Sequence, residues 1–377
     1  MTRAELRVTW PQALAWRLRR QLLDRRSDDP AADVVRRLGA VLSMDESLAR
    51  IAVATRRADG DGGALAQAYR DGEVIKGFAF RGSRHYLAPD TAGAFLAIRC
   101  AGRQWELKSW QDYYRLAPAD WPAFREAVRE ALADGPLTVP RLGERLAVRP
   151  EYRHLRPVFD EGADTLVKPL SWQGDVCIAP TEGGRLTLQR LDTNPRWAGL
   201  RDLDDAGRYA VRHYLATYGP ADDDRVQHWL GDGLSAGAKR VRRWLADLAD
   251  DVVAVDVEGQ VRSVLREDAE SLVAARPSTS VRFLPGHDQW VMGPGTTQQL
   301  VVPAEHRTAV TRKANPVLAG GVVRGFWAVR GDRVVVDRDD AGALPDDALA
   351  AETDRLGRVL GRALDLEVRP ARPTAST

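Results

Sequence analysis

The clearest chemical signal in the sequence is a group of cations on one predicted helix. Residues 235–248 have apolar side chains at helical spacing, at Val241, Leu245 and Leu248, so one face of the helix can pack on a core. The remaining surface carries four basic residues, Lys239, Arg240, Arg242 and Arg243. Cations placed in this way can neutralise phosphates while the helix lies in the major groove of double-stranded DNA. The alternative interpretation is a solvated basic face on an ordinary helix.

The elements on either side of this helix have the order of a winged helix. A helix is predicted over residues 222–230, with Asp222 as its N-cap, and Ser235 is expected to cap the basic helix. After that helix, residues 252–257 and 261–265 are rich in β-branched side chains and flank a glycine-containing turn. Helix, turn, helix and hairpin in this order favour DNA binding over a merely solvated face.

A weak internal repeat extends this pattern along the chain. Residues 132–148 and 215–230 each predict a helix that ends in Gly-Pro, followed by a short helix. A second hairpin is predicted between residues 176–179 and 186–188, joined across a turn at residues 183–184. The repeat predicts an α+β fold built from tandem winged-helix modules.

We divide the chain into four modules on these grounds. The first is winged-helix-like and begins with an amphipathic helix over residues 9–23, with Thr9 as its N-cap. The modules are 1–120, then winged-helix modules at 121–195 and 196–275, and then a β-rich C-terminal module with a terminal helix at 276–377.

Composition limits the other classes of function. Basic residues number 55 and acidic residues 53, so any surface for nucleic acid must be a local patch. The six histidines and two cysteines have no metal-ligand spacing, and we predict no metal and no cofactor. No secretion signal is evident, and no apolar run approaches the ~20 residues needed to cross a bilayer. We therefore expect a cytoplasmic monomer without a membrane partner.

Four phrases together resemble the AlkZ/YcaQ-like family of winged-helix DNA glycosylases. They occur in the family's order and read FRGSRHYLAP (80–89), YLATYGP (214–220), FLPGHDQWVMG (283–293) and GFW (325–327). The resemblance implies tandem winged helices arranged in a C around DNA. It also implies excision of bulky or cross-linked bases, in some relatives as self-resistance to a genotoxin or as defence against phage with modified DNA.

The chain departs from this family at its catalytic signature. The family's Gln-x-Gln or Gln-x-Asp motif falls on residues 42–44, where Leu42 and Met44 replace both polar residues. A slip of one residue would place a Ser-x-Asp version on Ser43 and Asp45. Breaking an N-glycosidic bond builds positive charge on the sugar, and an oxygen must stabilise that charge and orient water. We therefore predict Asp45 as the catalytic group, with Ser43 in support.

The alternative role for Asp45 is structural. Asp is a favoured N-cap, and a helix is predicted over residues 46–57.

The leading hypothesis is still a DNA glycosylase, as the family resemblance implies. We expect it to be monofunctional, because none of the five lysines, one of which a lyase step would need, lies in the matched phrases. The second hypothesis is a non-catalytic DNA-binding regulator or lesion sensor, and the third is a protein-interaction use of winged helices.

Two further groups of residues could contribute to the site. Arg81, Arg84 and His85 are predicted to line the DNA cavity, although His85 could equally be a structural histidine. Asp288 follows His287 in the third phrase. We expect Asp288 to cap a helix or pair with another residue inside the C-terminal module.

Overall fold

Among the residues that the structure describes, helices make up most of the secondary structure, and the strands form three sheets. The computed structural model describes residues 6–180, 185–339 and 344–370, so the turn predicted at residues 183–184 lies outside the described residues. The helices are α1 (Trp10–Arg20), α2 (Ala31–Leu38), α3 (Glu46–Ala54), α4 (Ala64–Arg70), α5 (Pro89–Cys100), α6 (Lys108–Tyr114), α7 (Trp121–Ala131), α8 (Val139–Ala147), α9 (Arg156–Asp160), α10 (Val167–Trp172), α11 (Leu203–Tyr218), α12 (Asp223–Gln227), α13 (Ala238–Asp247), α14 (Ala269–Val273), α15 (Gln289–Met292), α16 (Arg307–Thr311) and α17 (Asp346–Leu360). The strands are β1 (Leu6–Val8), β2 (Val41–Leu42), β3 (Ile75–Phe78), β4 (Arg84–Leu87), β5 (Leu137–Thr138), β6 (Val176–Ile178), β7 (Thr187–Arg190), β8 (Val252–Val257), β9 (Gln260–Leu265), β10 (Val281–Phe283), β11 (Asn315–Ala319), β12 (Val322–Arg330), β13 (Arg333–Arg338) and β14 (Asp365–Pro370).

A six-stranded sheet includes β2, the strand that contains Leu42 of the motif position. Its order is β2-β4-β3-β6-β7-β5. The short edge strand β2 pairs antiparallel with β4, so that Leu42 lies opposite His85. Strand β3 meets the β6–β7 hairpin through the pairing of Lys76 with Ile178. Strands predicted in the first and second modules therefore share one sheet.

The predicted basic helix and hairpin are present in the third part of the chain. Asp222 caps α12 by accepting a hydrogen bond from the Arg225 amide, as predicted. Ser235, by contrast, does not cap α13, whose N-cap is Gly237. The Ser235 hydroxyl accepts a hydrogen bond from the Arg99 guanidinium at 2.7 Å, so it serves a contact with α5.

Close packing fixes α13 against α11. Val241 and Trp244 of α13 are buried. A Cβ atom added to Gly207 of α11 would lie 2.0 Å from Trp244, so only glycine allows the two helices to approach this closely. After α13, the β8–β9 hairpin receives β1 as a third strand, which pairs in parallel with β8.

The C-terminal part contains a five-stranded sheet in the order β10-β11-β12-β13-β14. Leu349 and Val359 of α17 belong to its apolar core, together with Ile51 and Ala54 of α3. The N-terminal helix α3 is therefore packed against C-terminal elements. The predicted mixed α+β fold is confirmed, and within the described ranges no helix is long and apolar enough to cross a membrane.

Candidate active site

Two adjoining cavities meet at the motif position. Both are lined by Leu42, His287 and Gln289. The Asp45 cavity is completed by Val41, Asp45, Leu48, Ala52, Pro285, Gly286, Asp288 and Lys313. The Arg81 cavity, with a volume of about 230 Å³, is completed by Phe80, Arg81, Ser83, His85, His228, Trp229, Gly233 and Met292. The motif strand from the N-terminal part and the 285–292 segment from the C-terminal part thus share one wall.

The two apolar motif residues differ in their surroundings. Leu42 is half-buried between the cavities, while Met44 is 61% exposed. Between them, the Ser43 amide donates to the Arg84 carbonyl at 2.9 Å. The Ser43 side chain is buried, and its hydroxyl has no hydrogen-bond partner among the described residues. Residues 42–44 therefore offer the cavity no acceptor side chain of the kind found in the family's motif.

The two carboxylate oxygens of Asp45 have different neighbours, so the helix cap uses only one of them. Oδ1 accepts hydrogen bonds from the Ser47 hydroxyl at 2.6 Å and from the amides of Ser47 and Leu48 at 3.1 and 3.4 Å, so it caps α3. Oδ2 lies 3.4 Å from the Lys313 ammonium, and 42% of the side chain is exposed. The Ser47 hydroxyl, the Leu48 amide and Lys313 together lower the pKa of Asp45 below its ordinary value. The carboxylate is therefore ionised at neutral pH, and Asp45 lines the cavity while its Oδ2 accepts a hydrogen bond from Lys313.

A buried ion pair holds the two halves of this wall together. Asp288 accepts hydrogen bonds from both terminal nitrogens of Arg56, at 2.8 and 2.7 Å, and both side chains are fully buried. Asp288 also caps α15 by accepting a hydrogen bond from the Trp290 amide. The cap meets the expectation that Asp288 caps a helix or pairs inside the C-terminal module. The pair with Arg56, which follows α3, was not expected, because it joins that module to the N-terminal part.

Arg81 lies at the exposed edge of its cavity in a left-handed conformation. Its φ angle is +53°, within a 3₁₀ turn that spans Phe80–Gly82. Its guanidinium donates to His228 Nε2 at 3.0 Å, and His228 Nδ1 lies 3.4 Å from Asp232. Burial and the nearby Arg81 charge lower the pKa of His228, which is therefore neutral and can accept from Arg81. A non-glycine residue held at positive φ beside a cavity is typical of functional sites.

The other two residues predicted for this cavity are arranged differently. His85 lies in the wall with its ring buried, and Nδ1 donates to the Ser83 carbonyl at 2.9 Å. Burial lowers the pKa of His85 to about 4, so the ring is uncharged at neutral pH. Arg84 is not among the lining residues and instead pairs with Asp164 at 3.2 Å. The structure therefore brings Arg81 and His85 together and places Arg84 outside.

The four predicted cations of α13 divide into two pairs. Lys239 and Arg242 are exposed and have no partner in the part of the chain that the structure describes. Arg243 forms an ion pair with Asp204 of α11, and Arg240 donates to the Ala236 carbonyl at 3.1 Å. Two of the four cations are therefore free to meet a phosphate. In the described ranges, no His, Cys, Asp and Glu side chains are grouped so as to hold a metal ion.

Three side chains of the site were not predicted from the sequence. Gln289 and Lys313 line the Asp45 cavity, and His228 supports Arg81. The only sequence signal for Gln289 is its position inside the FLPGHDQWVMG phrase. Lys313 and His228 lie outside every matched phrase.

Comparison with known proteins gives a consistent result over nearly the whole chain. The DNA glycosylase AlkZ-like family matches residues 35–359. The interstrand DNA cross-link repair glycosylase of Streptomyces sahachiroi is 33% identical over 363 residues, which cover 94% of this chain and 98% of that protein. The solved structure of the Streptomyces sahachiroi DNA glycosylase AlkZ matches with a TM-score of 0.89 and 31% identity, over 97% of this chain and all of that one.

The fold and these matches define a DNA glycosylase, an enzyme that hydrolyses the N-glycosidic bond between a base and its sugar. Within that class, the chain belongs to the AlkZ-like DNA glycosylase family. The resemblance inferred from the four sequence phrases is confirmed, as is the hypothesis of a DNA glycosylase, and the comparisons indicate DNA repair as the process in which it acts.

Proposed function

We propose that this glycosylase is monofunctional and removes a bulky or modified base from double-stranded DNA, including a base held in an interstrand cross-link. The substrate class rests on the name of the Streptomyces relative and on the open cavity beside the motif strand. The lesion would come from a genotoxin or from phage-type base modification. The enzyme would act as a monomer in the cytoplasm.

The observation that carries the chemical proposal is the partly exposed carboxylate of Asp45 in the Asp45 cavity, whose Oδ2 pairs with Lys313. In the reaction, the C1′–N bond breaks and its electron pair leaves on the base. The oxygen of a water molecule bonds to C1′, and the water proton passes to solvent. Asp45 stabilises the cationic sugar and orients the water. Its low pKa suits this electrostatic role, because the carboxylate stays charged throughout.

Ser43 supports Asp45 through the backbone in this proposal. Its hydroxyl is buried and does not line either cavity. Its amide holds the corner between β2 and α3 by donating to the Arg84 carbonyl at 2.9 Å. The corner fixes the direction in which Asp45 points.

DNA binding is assigned to two regions. We propose that α11, α12, α13 and the β8–β9 hairpin form a winged helix, one of several such modules arranged in a C around the duplex. Lys239 and Arg242 would contact phosphates, with weaker contributions from the engaged Arg240 and Arg243. Arg81 would contact DNA at the edge of its cavity, and His85 would contact it as a neutral ring in the cavity wall. Arg84 would bind a phosphate only after its ion pair with Asp164 breaks.

The second candidate function is a DNA-binding lesion sensor without catalysis. Leu42 and Met44 favour it, because neither has a side-chain oxygen that could stabilise positive charge on the sugar. The engagement of Asp45 Oδ1 with α3 also favours it, because one of the two oxygens is already used.

Asp45→Asn separates these functions, because Asn is as good an N-cap as Asp and preserves α3. We expect single-turnover base release from a cross-linked duplex and from the corresponding monoadduct to fall by about 10²- to 10⁴-fold. DNA affinity should change little. Release is measured as abasic sites, and Asp202→Asn is the matched control, since Asp202 caps α11 away from both cavities.

Each outcome bears on one claim. Equal rates for wild type and Asp45→Asn would remove Asp45 from the chemistry while leaving the glycosylase intact. Binding of both duplexes by wild type, without release from either one or from DNA with phage-type modified bases, would favour the lesion sensor.

A further inference from the structure

The geometry points to Gln289 as a second catalytic residue, which supplies from a distant part of the chain the acceptor oxygen that Leu42 cannot offer. This inference rests on the proposed function. Gln289 begins α15, and its side chain lines both cavities together with Leu42. It also shares the Asp45 cavity with the Asp45 carboxylate. A carboxylate and an amide oxygen would then flank the sugar, although they come from different elements.

The other polar side chains of the Asp45 cavity are already engaged or carry the wrong charge. Asp288 is neutralised by Arg56, and both are fully buried. Lys313 is a cation, which would repel positive charge on the sugar. His287 uses Nε2 in a contact of 3.2 Å with the Thr311 carbonyl. Asp45 and Gln289 are therefore the side chains of this wall that best combine an acceptor oxygen with access to the cavity.

The amide of Gln289 has two orientations that fit against Tyr218, and the single phenol proton favours one of them. The Tyr218 hydroxyl lies 2.7 Å from the Leu38 carbonyl and 3.4 Å from the amide oxygen of Gln289. The hydroxyl has a single proton, and the closer carbonyl takes it. A half-turn of the amide then lets Gln289 Nε2 donate to the phenol oxygen. Oε1 becomes free to accept from a water molecule or to face the sugar.

Tyr218 acts as a positioning residue for this amide. It is fully buried, and burial raises its pKa, so its hydroxyl stays protonated. A Cβ atom added to Gly293 would lie 2.2 Å from the Tyr218 ring, so the end of α15 packs directly on it. Its bond to Leu38 ties the ring to the residue that ends α2, just before the motif strand. Tyr218 therefore connects Gln289 to the segment that precedes β2.

Gln289→Leu tests the inference, since leucine keeps the approximate volume and removes the acceptor. We expect single-turnover base release from the cross-linked duplex to fall by about 10²- to 10³-fold. Gln289→Glu keeps an acceptor oxygen but loses the Nε2 donor to Tyr218, so it should retain at least tenfold more activity than Gln289→Leu. Gln67→Leu, an exposed glutamine of α4 outside both cavities, is the matched control and should release base at the wild-type rate.

The double variant Leu42→Gln with Gln289→Leu gives the sharpest result. If the amide at 289 replaces one at 42, returning glutamine to position 42 should recover at least tenfold of the lost rate. Wild-type release by Gln289→Leu, equal losses in Gln289→Leu and Gln289→Glu, or a double variant as slow as the single one would each overturn the inference. No release by wild type would instead overturn the proposed function, so the two failures are distinguishable.

Discussion

At the scale of single residues, the site shows that one carboxylate can cap a helix and also line a cavity. Asp45 uses Oδ1 for the first turn of α3 and leaves Oδ2 beside Lys313. Its helix cap holds the carboxylate in place without consuming both oxygens. The helix cap is therefore compatible with the catalytic role that we propose for Asp45.

The buried histidines predict a loss of stability in mild acid. His85 has a pKa of about 4 in the folded protein, against 6.5 for an unperturbed histidine, because burial disfavours the charged ring. Below pH 6.5 the unfolded chain therefore binds a proton that the folded chain excludes. We expect His85 alone to lower the free energy of unfolding by about 2 kcal/mol between pH 7 and pH 5, with no further loss below about pH 4.

Urea unfolding at several pH values measures this effect. As the pH falls, the free energy of unfolding should decline more steeply for wild type than for His85→Asn. The variant should still show some decline, because His213 also has a pKa lowered to about 4. The comparison uses the slope against pH, so an overall loss of stability in the variant does not matter. Parallel slopes for the two proteins would show that His85 is not held neutral.

Local signals explain which residues could be predicted. The capping roles of Thr9, Asp45 and Asp222 depend on amides no more than three positions away, and all three were predictable. The partners of Arg56 and Lys313 lie 232 and 268 positions away. Nothing in the neighbouring sequence indicates such pairs, because the fold alone brings them together.

At the scale of elements, α13 is both a core helix and a charged surface. Trp244 and Val241 fix its inner face, and Gly207 lets it lie close to α11. Its outer face leaves Lys239 and Arg242 unpaired among the described residues. Charge alone did not show which cations would be free, because the ion pair of Arg243 involves another helix.

The double variant Lys239→Ala with Arg242→Ala should weaken binding to duplex DNA of any sequence. Each phosphate contact contributes about 0.9 to the slope of log affinity against log salt, so the slope should fall by about 2. Fluorescence anisotropy over a range of salt concentrations measures both quantities. Arg208→Ala is the control, because Arg208 of α11 is already paired with Asp205 and Asp247. An unchanged slope, or the same change in the control, would exclude α13 from the interface.

The types of most elements near the site were predictable, but their assembly was not. The basic helix and both hairpins were predicted from periodicity and β-branched residues. The parallel pairing of β1 with β8, and the joining of β3 to β6, had no signal in the sequence. Strand pairing depends on contacts between segments that are far apart, and a short strand such as β2 gives almost no periodicity to detect.

At the scale of the whole molecule, the N-terminal and C-terminal parts fold around each other. Ile51 and Ala54 of α3 share a core with α17 and the C-terminal sheet. The Arg56–Asp288 pair lies at the same junction, with both side chains fully buried. The shared wall of the two cavities depends on this junction, because its residues come from both parts.

Asp288→Asn should therefore destabilise the entire chain. Removing one partner of a buried ion pair leaves an uncompensated charge and typically costs about 3–5 kcal/mol. Thermal unfolding and base release should both be affected. Asp112→Asn breaks the exposed Lys108–Asp112 pair and should change stability little. Equal effects from the two substitutions would show that the junction does not depend on the buried pair.

The distance along the chain between Arg56 and Asp288 has a consequence for the order of protein synthesis. A ribosome that has produced the first 280 residues has already released the motif strand, but Arg56 has no counter-charge and the cavity lacks its second wall. Under the proposed function, base release therefore requires that synthesis has passed residues 285–289 and Lys313, which complete the Asp45 cavity. Under the same proposal, a product that ends before these residues would release no base, because it lacks one wall of the cavity.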